Sequence, residues 1–153
     1  MQFEFTVRRA AAILAIAAPL FHVAPAGAAD PAPAAAATAE PLPYTVKDGD
    51  KVDANTYKGF LYYGDECHRC HGPAGLGSSY APALVDSLKH MTKQQFEETV
   101  INGRKEVNTA ADKVMPAFGT NADVALNLDN IYAYLKARSD GALGRGHPEH
   151  LEQ

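Results

Sequence analysis

Apolar residues recur at helical spacing in three stretches of the chain. The first stretch follows Asp53, a residue type that favours the position before a helix because its carboxylate accepts hydrogen bonds from free backbone amides. Four residues then fall on one helical face: Tyr57, Phe60, Leu61 and Gly64. Gly59 lies within this predicted helix, where glycine is less stable than alanine, so it predicts a close approach by another element.

The second stretch begins with a capping signal. Thr92 and Gln95 have the spacing of a capping box. Phe96 and Val100 then form the predicted buried face, and Gly103 marks the end of the helix.

The third stretch predicts a final helix over residues 123–138, with apolar residues at positions i, i+3, i+4 and i+7. These are Leu128, Ile131, Tyr132 and Leu135. Lys136 and Arg138 suit the negative end of the helix dipole. No stretch alternates between apolar and polar residues as a strand does. The sequence therefore predicts an all-α fold with about three main helices.

Residues 1–29 have the pattern of a secretory signal peptide. Arg8 and Arg9 precede an apolar segment that is too short for a membrane span, and small residues follow it. Cleavage after Ala28 or Ala29 would release the protein into the periplasm, and we expect no stable membrane insertion afterwards. An uncleaved membrane anchor is the alternative.

The rest of the chain divides into three predicted parts. Residues 30–43 are rich in alanine and proline, which favours a semi-extended linker. Residues 44–140 contain the helical stretches and predict a single domain. Residues 141–153 are polar and punctuated by glycine, and predict a tail that lies over the surface or frays.

The charge balance bears on the class of partner. The chain has 14 Lys and Arg against 18 Asp and Glu, a net charge of −4 with neutral histidines. A surface for nucleic acid needs basic residues that contact phosphates, so we expect no nucleic-acid partner. The predicted domain is also small and lacks tryptophan, so its own core is modest. A large apolar cofactor would add to that core.

Two cysteines, Cys67 and Cys70, stand three positions apart. Such a pair serves in zinc sites, in redox or structural disulfides, and in covalent haem attachment. A zinc site needs two further ligands, and His147 and His150 are distant in the sequence. A thioredoxin-like disulfide needs strands around it and a helix that begins at the first cysteine, whereas this pair follows a predicted helix.

The histidine after the second cysteine completes the sequence C-x-x-C-H, the attachment motif of c-type haem. Two thiols add to the two porphyrin vinyl groups, and the spacing lets one turn of chain reach both. The next residue is carried beneath the iron, which makes His71 the predicted proximal ligand. Export also places the thiols where such haem is attached. We therefore expect one covalent haem c.

A second axial ligand would complete the iron coordination, and Met115 is the first candidate. It lies in a predicted loop and precedes Pro116, which restricts the backbone. A thioether opposite histidine raises the reduction potential and favours electron transfer. Met91 and His90 are the competing candidates, and a methionine is often only a core residue.

Other residues are candidates for contacts around the haem. The Nδ1–H of His71 needs an acceptor, for which the carbonyl of Pro82 is suitable. Arg104 is a candidate partner of a haem propionate, or a solvated surface arginine. Tyr62 and Tyr80 would either line the pocket or pack elsewhere.

Three segments together resemble class I cytochromes c over nearly the whole predicted domain. They are residues 57–84 around the motif, the segment VMPAFG, and the segment LDNIYAYLKAR. The resemblance implies a small class I cytochrome c fold, in which about three main helices surround one covalent haem. It also implies His71 and Met115 as axial ligands and Pro82 as the proline of the proximal loop.

The same resemblance implies that the helix before the motif crosses the last helix. Gly59 and Phe60 match one side of that contact, and Tyr132 matches the other.

A narrower resemblance concerns the cytochromes of methanol metabolism, the cytochrome cL group. It rests on the segments DSLKHM, INGRKEV, VMPAFG and YLKARSDGALGRGHPEH. It implies a PQQ-dependent alcohol or methanol dehydrogenase as electron donor, and another cytochrome c or an oxidase as acceptor. The predicted function is thus a periplasmic electron carrier and not an enzyme.

Three alternative functions stay open at this point. The chain could be a general-purpose soluble cytochrome c of another respiratory chain. It could be a haem sensor or enzyme with an open distal site. It could also be a haem-free interaction module held by a structural disulfide.

Overall fold

The computed structural model describes residues 41–106 and 113–151, which lie in one compact unit, Ala39–Gln153. The predicted signal peptide and all but the last three residues of the predicted linker lie outside the described residues, so those assignments stay predictions. In the described part of the chain, no helix has the length and apolarity needed to cross a membrane.

Helices dominate the described part. They are α1 (Ala54–Tyr62), α2 (His68–His71), α3 (Leu84–Ser87), α4 (Lys93–Asn102), α5 (Ala122–Leu126) and α6 (Leu128–Ser139). A π-helical turn, Tyr63–Cys67, joins α1 to α2, and a 3-10 turn, Pro73–Gly75, follows α2. The three longest helices are α1, α4 and α6, which confirms the all-α prediction with three main helices.

Five short strands accompany the helices in residues 41–106 and 113–151. They are β1 (Val46–Lys47), β2 (Lys51–Val52), β3 (Arg104–Glu106), β4 (Lys113–Met115) and β5 (Glu149–His150). One sheet has the order β1-β2-β5, and β3 pairs antiparallel with β4. The sequence does not predict these strands because two or three residues are too few to show alternation.

Two predicted helix starts are confirmed by their hydrogen bonds. Asp53 Oδ1 accepts from the backbone N–H groups of Asn55 and Thr56, both at 3.0 Å. Thr92 and Gln95 form the reciprocal capping box, with 3.2 Å from Gln95 N to Thr92 Oγ1 and 2.9 Å from Thr92 N to Gln95 Oε1. These side chains satisfy amides that have no partner within the helix.

Helix α1 crosses α6 at a glycine. A Cβ added at Gly59 would lie 1.8 Å from the carbonyl oxygen of Asn130 and 3.0 Å from the Cβ of Tyr134. The predicted close approach at Gly59 is therefore confirmed. The expected partner Tyr132 is wrong, because the Phe60 ring packs edge-on against Tyr134, with 5.6 Å between ring centroids. Side chains two residues apart point about 200° apart around a helix, so only one of these tyrosines can face α1.

The predicted apolar face of α1 is also wrong at two positions. Leu61 is 45% exposed, and Gly64 is exposed. The buried positions are Thr56, Gly59 and Tyr63 instead. The buried face of α1 is the one that carries Gly59, because glycine lets α6 approach closely there. The larger apolar side chains do not determine which face is buried.

The predicted final helix over residues 123–138 is two helices, α5 and α6, with a break at Asn127. The backbone of Asn127 has φ −116° and ψ 16°, outside the helical region. Its Nδ2 donates to the carbonyl of Asp123 at 2.9 Å, and its backbone N–H donates to Val124 at 3.1 Å. The Asn127 side chain thus occupies the Asp123 carbonyl, which in a continuous helix would accept from a backbone N–H.

The predicted surface tail is packed onto the domain. Leu143 and Pro148 are buried, and β5 pairs in parallel with β2. The backbone N–H of Leu151 donates to the carbonyl of Val52 at 2.8 Å. The folded unit therefore continues beyond residue 140, the predicted end of the domain. The sequence does not indicate this, because β5 pairs with a strand that is distant in the sequence.

Candidate haem-binding site

A cavity of about 440 Å³ opens beside the cysteine motif. Cavities that bury a small molecule or cofactor measure roughly 300–1,000 Å³. All six residues predicted to contact the cofactor line it: Cys67, Cys70, His71, Pro82, Arg104 and Met115. Four predicted core residues of α4 and α6 form an apolar wall: Phe96, Val100, Ile131 and Leu135. The fold therefore brings the predicted site together from five separate segments of the chain.

The two cysteines reach the cavity from consecutive turns. Cys67 ends the π-helical turn and is half-buried, whereas Cys70 lies in α2 and is exposed, and both are free thiols. Burial raises the pKa of the Cys67 thiol to about 12, with nearby Glu66 and Cys70 adding to the effect. A redox-active cysteine needs the opposite shift because the thiolate is the reacting form. The redox-disulfide alternative is therefore disfavoured.

The zinc alternative also lacks support. Within residues 41–106 and 113–151, no three His, Cys, Asp or Glu side chains are grouped as a metal site requires. The two tail histidines pack on α1 instead. His147 lies 4.6 Å from Phe60 and His150 lies 5.5 Å from Tyr57, measured between ring centroids.

His71 is held in one orientation at the end of α2. It is buried, with 7% of its surface exposed, and its Nδ1 lies 3.0 Å from the carbonyl oxygen of Pro82. A carbonyl only accepts hydrogen bonds, so Nδ1 carries the proton and Nε2 keeps its lone pair. The imidazole is therefore in the tautomer that binds a metal through Nε2.

A buried tyrosine supports the turn behind His71. The Tyr63 hydroxyl donates to the carbonyl of Gly72 at 2.5 Å and accepts from the N–H of Gly75 at 3.0 Å. Gly72 has φ 71°, in the left-handed region, and a Cβ there would lie 2.3 Å from the carbonyl oxygen of Gly77. The tight turn therefore depends on glycine at position 72.

Met115 lies at the end of β4, in a segment fixed at several points. A Cβ at Gly103, where φ is 73°, would lie 2.7 Å from the carbonyl oxygen of Met115. The N–H of Phe118 donates to the carbonyl of Val100 at the end of α4, at 3.0 Å. Met115 is thus held against the cavity by the C-terminal end of α4. Met91 also lines the cavity, whereas His90 is not among the lining residues.

Of the remaining residues predicted to lie near the haem, some line the cavity and one does not. Arg104 is exposed and pairs with Met115 in the β3–β4 register, at the cavity. Tyr80 lines the cavity and is 76% exposed. Tyr62 is not among the lining residues, so of the two tyrosines only Tyr80 is a pocket residue.

Sequence reasoning missed Glu66. This residue precedes the first cysteine, lines the cavity, and accepts a hydrogen bond from Asn121 Nδ2 at 3.0 Å. The same Asn121 caps α5 through its side-chain oxygen. The contact ties the motif to a segment 55 positions away, and no local pattern marks it.

The donor set fits a covalently held haem. Two free thiols, one imidazole with an available Nε2 and one thioether meet at a cavity with apolar walls. Residues 54–135 also match the family described as cytochrome c oxidase, cbb3-type, subunit III, over more than half of the chain. The chain belongs to this family. Its cofactor is covalently bound haem c.

Three relatives illustrate the similarity. Cytochrome c-553I of Paracoccus denitrificans is 51% identical over 116 residues, which cover 75% of this chain and 51% of that protein. Cytochrome c-555 of Methylococcus capsulatus is 42% identical over 99 residues, which cover 64% of this chain and 74% of that protein. The crystal structure of c-type cytochrome XoxG from Methylobacterium extorquens AM1 matches with a TM-score of 0.64 and 46% identity, covering 70% of this chain and 65% of that chain. This chain therefore spans about half the length of cytochrome c-553I and slightly under two thirds of the XoxG chain.

Proposed function

We propose that Cys67 and Cys70 hold the haem through thioether bonds and that His71 and Met115 are its axial ligands. When bound, the haem iron supplies a reversible one-electron couple. The observation that carries the proposal is the meeting of two thiols, an oriented imidazole and a thioether at one apolar cavity. With His71 and Met115 both bound, the iron would have no free coordination site for a substrate, which favours the role of an electron carrier.

The surrounding residues have distinct roles in this proposal. The Pro82 carbonyl fixes the ring orientation of His71 through its contact with Nδ1 and so directs Nε2 toward the iron of a bound haem. The apolar walls from α4 and α6 would exclude water from a haem bound in the cavity. Arg104 lies at the cavity, where its guanidinium would pair with a propionate carboxylate.

Removal of the proposed distal ligand tests this assignment. We expect Met115→Ala to abolish the near-infrared band of sulfur-to-iron ligation and to lower the midpoint potential, because a thioether favours the ferrous state. Visible and near-infrared spectra of oxidised and reduced protein measure the change. Met91→Ala is the matched control, since Met91 lines the same cavity, and we expect it to retain the band.

The opposite outcome would have a clear meaning. A band that survives in Met115→Ala and disappears in Met91→Ala would make Met91 the ligand. A five-coordinate wild-type haem would favour the sensor or enzyme with an open distal site.

The proposed donor is a periplasmic PQQ-dependent alcohol or methanol dehydrogenase, and the proposed acceptor is another cytochrome c or an oxidase. The resemblance of four segments to the cytochrome cL group supports the donor, and the signal-peptide pattern of residues 1–29 supports the periplasm. The cavity also has an exposed apolar edge for docking. Tyr80 is 76% exposed and Val114 is 60% exposed, and both line the cavity.

Docking at this edge predicts a slower reaction when its anchor is removed. We expect Tyr80→Ala to lower the second-order rate of reduction by the dehydrogenase about tenfold, as the loss of one interface anchor of about 1.4 kcal/mol would do. Stopped-flow absorbance measures the rate. Leu126→Ala is the matched control, because Leu126 is 83% exposed but does not line the cavity. Equal rates in the two variants would contradict docking at Tyr80, and no reduction of wild-type protein would contradict the donor.

A further inference from the structure

A buried arginine lies behind the turn that follows His71. Arg138, in the last turn of α6, has 8% of its surface exposed. Its Nε donates to the carbonyl of Ala74 at 3.3 Å, and its Nη1 donates to the carbonyl of Leu143. Tyr134 also makes a side-chain hydrogen bond with Arg138. These partners are neutral groups, which satisfy the donors without cancelling the charge.

Within the part of the chain that the structure describes, this arginine has no carboxylate partner. Lysines pair with the carboxylates of Asp48, Asp86, Glu97, Asp129 and Asp140, and none of these carboxylates contacts Arg138. A cation is costly to bury, and proteins usually pair it with an anion. The positive charge of Arg138 therefore acts on its neighbours with little compensation and little solvent screening.

The position of Arg138 relates it directly to the haem cavity. Ile131 and Leu135 precede it by seven and three residues along the same face of α6, and both line the cavity. Its carbonyl partner Ala74 lies three positions after His71. The charge also acts on Tyr63, whose hydroxyl forms hydrogen bonds with that turn. Burial raises the pKa of Tyr63, and the positive charge of Arg138 opposes the increase.

We propose that Arg138 raises the reduction potential of the bound haem by placing a fixed positive charge behind the His71 turn. The inference rests on the proposed attachment of haem beside His71. Oxidation leaves one more positive charge at the iron, and a nearby cation in a medium of low dielectric constant disfavours that state. One electron is exchanged with the partner protein and no proton is involved, since arginine stays protonated. Arg138 is thus a residue that tunes the potential without touching the iron.

The test is an equilibrium redox titration of purified holoprotein variants. We expect the midpoint potential to shift to more negative values in Arg138→Met and to stay near the wild-type value in Arg138→Lys, which keeps the charge. Arg145→Met is the matched control, because it removes the same charge from an exposed residue and is expected to leave the potential nearly unchanged. Arg138→Gln is the second neutral variant if Arg138→Met does not fold, and the same negative shift is expected.

The comparison of variants distinguishes the effect of the Arg138 charge from the effect of its hydrogen bonds. If Arg138→Lys shifts the potential as far as the neutral variants do, the bonds to Ala74 and Leu143 matter and the charge does not, which overturns the proposal. A neutral variant with the potential of Arg145→Met overturns it as well. The near-infrared band of each variant reports the axial ligands independently, so an error in the Met115 assignment would be visible in wild-type protein before any arginine is changed.

Discussion

A protein in which serine replaces both cysteines, Cys67→Ser with Cys70→Ser, is expected to contain no covalently bound haem. Thioether bonds form between cysteine thiols and vinyl groups, and the serine hydroxyl, although similar in size, does not add in their place. Both thiols are free and line the cavity, so no disulfide competes for them. The variant is expressed together with haem-maturation machinery. Haem staining after denaturing electrophoresis and the intact mass then measure attachment.

Single replacements are the controls for this experiment. Each of Cys67→Ser and Cys70→Ser leaves one thiol, and we expect each to retain a fraction of the haem through one thioether. A double variant whose denatured mass still includes haem would contradict attachment at these cysteines. Wild-type protein without haem would return the pair to the role of a structural disulfide.

Gly59→Ala is expected to lower the free energy of unfolding by about 3 kcal/mol, at the upper end of what overpacking of a well-packed contact costs. The added Cβ would lie 1.8 Å from the carbonyl oxygen of Asn130. That oxygen belongs to the backbone of α6, so relief requires the two helices to move apart. The same helix carries Ile131 and Leu135, which wall the haem cavity. Denaturation of the holoprotein by guanidinium, followed by circular dichroism, measures the loss.

Gly64→Ala is the matched control, because no heavy atom lies within 4 Å of a Cβ at that position. The substitution removes a flexible glycine from the helical segment before the motif. We expect stability to stay unchanged or to rise by up to about 1 kcal/mol. A Gly59→Ala variant as stable as Gly64→Ala would mean that the crossing of α1 and α6 is not tight in solution.

The features that the sequence predicts well depend on neighbours in the chain. Asp53 accepts hydrogen bonds from amides two and three positions away, and Thr92 and Gln95 bond to each other. All the partners of each cap therefore lie within one turn of helix. The haem motif is local in the same sense, because two thiols and an imidazole within five residues already specify the chemistry. The cofactor and its class were therefore predictable before any contact was known.

Pairwise contacts between helices were not predictable in the same way. The periodicity of α6 identified an apolar face but not the residue that meets α1, and Tyr134 takes the place expected for Tyr132. The sequence pattern does not predict the break at Asn127, because asparagine occurs both within helices and at their ends. Both questions are decided by the orientation of one helix against another, which periodicity does not contain.

The attachment motif, the helix starts and the all-α class follow from the sequence alone, because each depends on residues within a few positions of one another. The packing of distant segments places the Pro82 carbonyl on His71, the C-terminal segment on β2 and the charge of Arg138 in the interior. In the sequence, Arg138 resembles an ordinary cation at a helix end. Its burial depends on the carbonyl of Ala74, 64 positions away, and contacts of that range exist only once the helices have packed together.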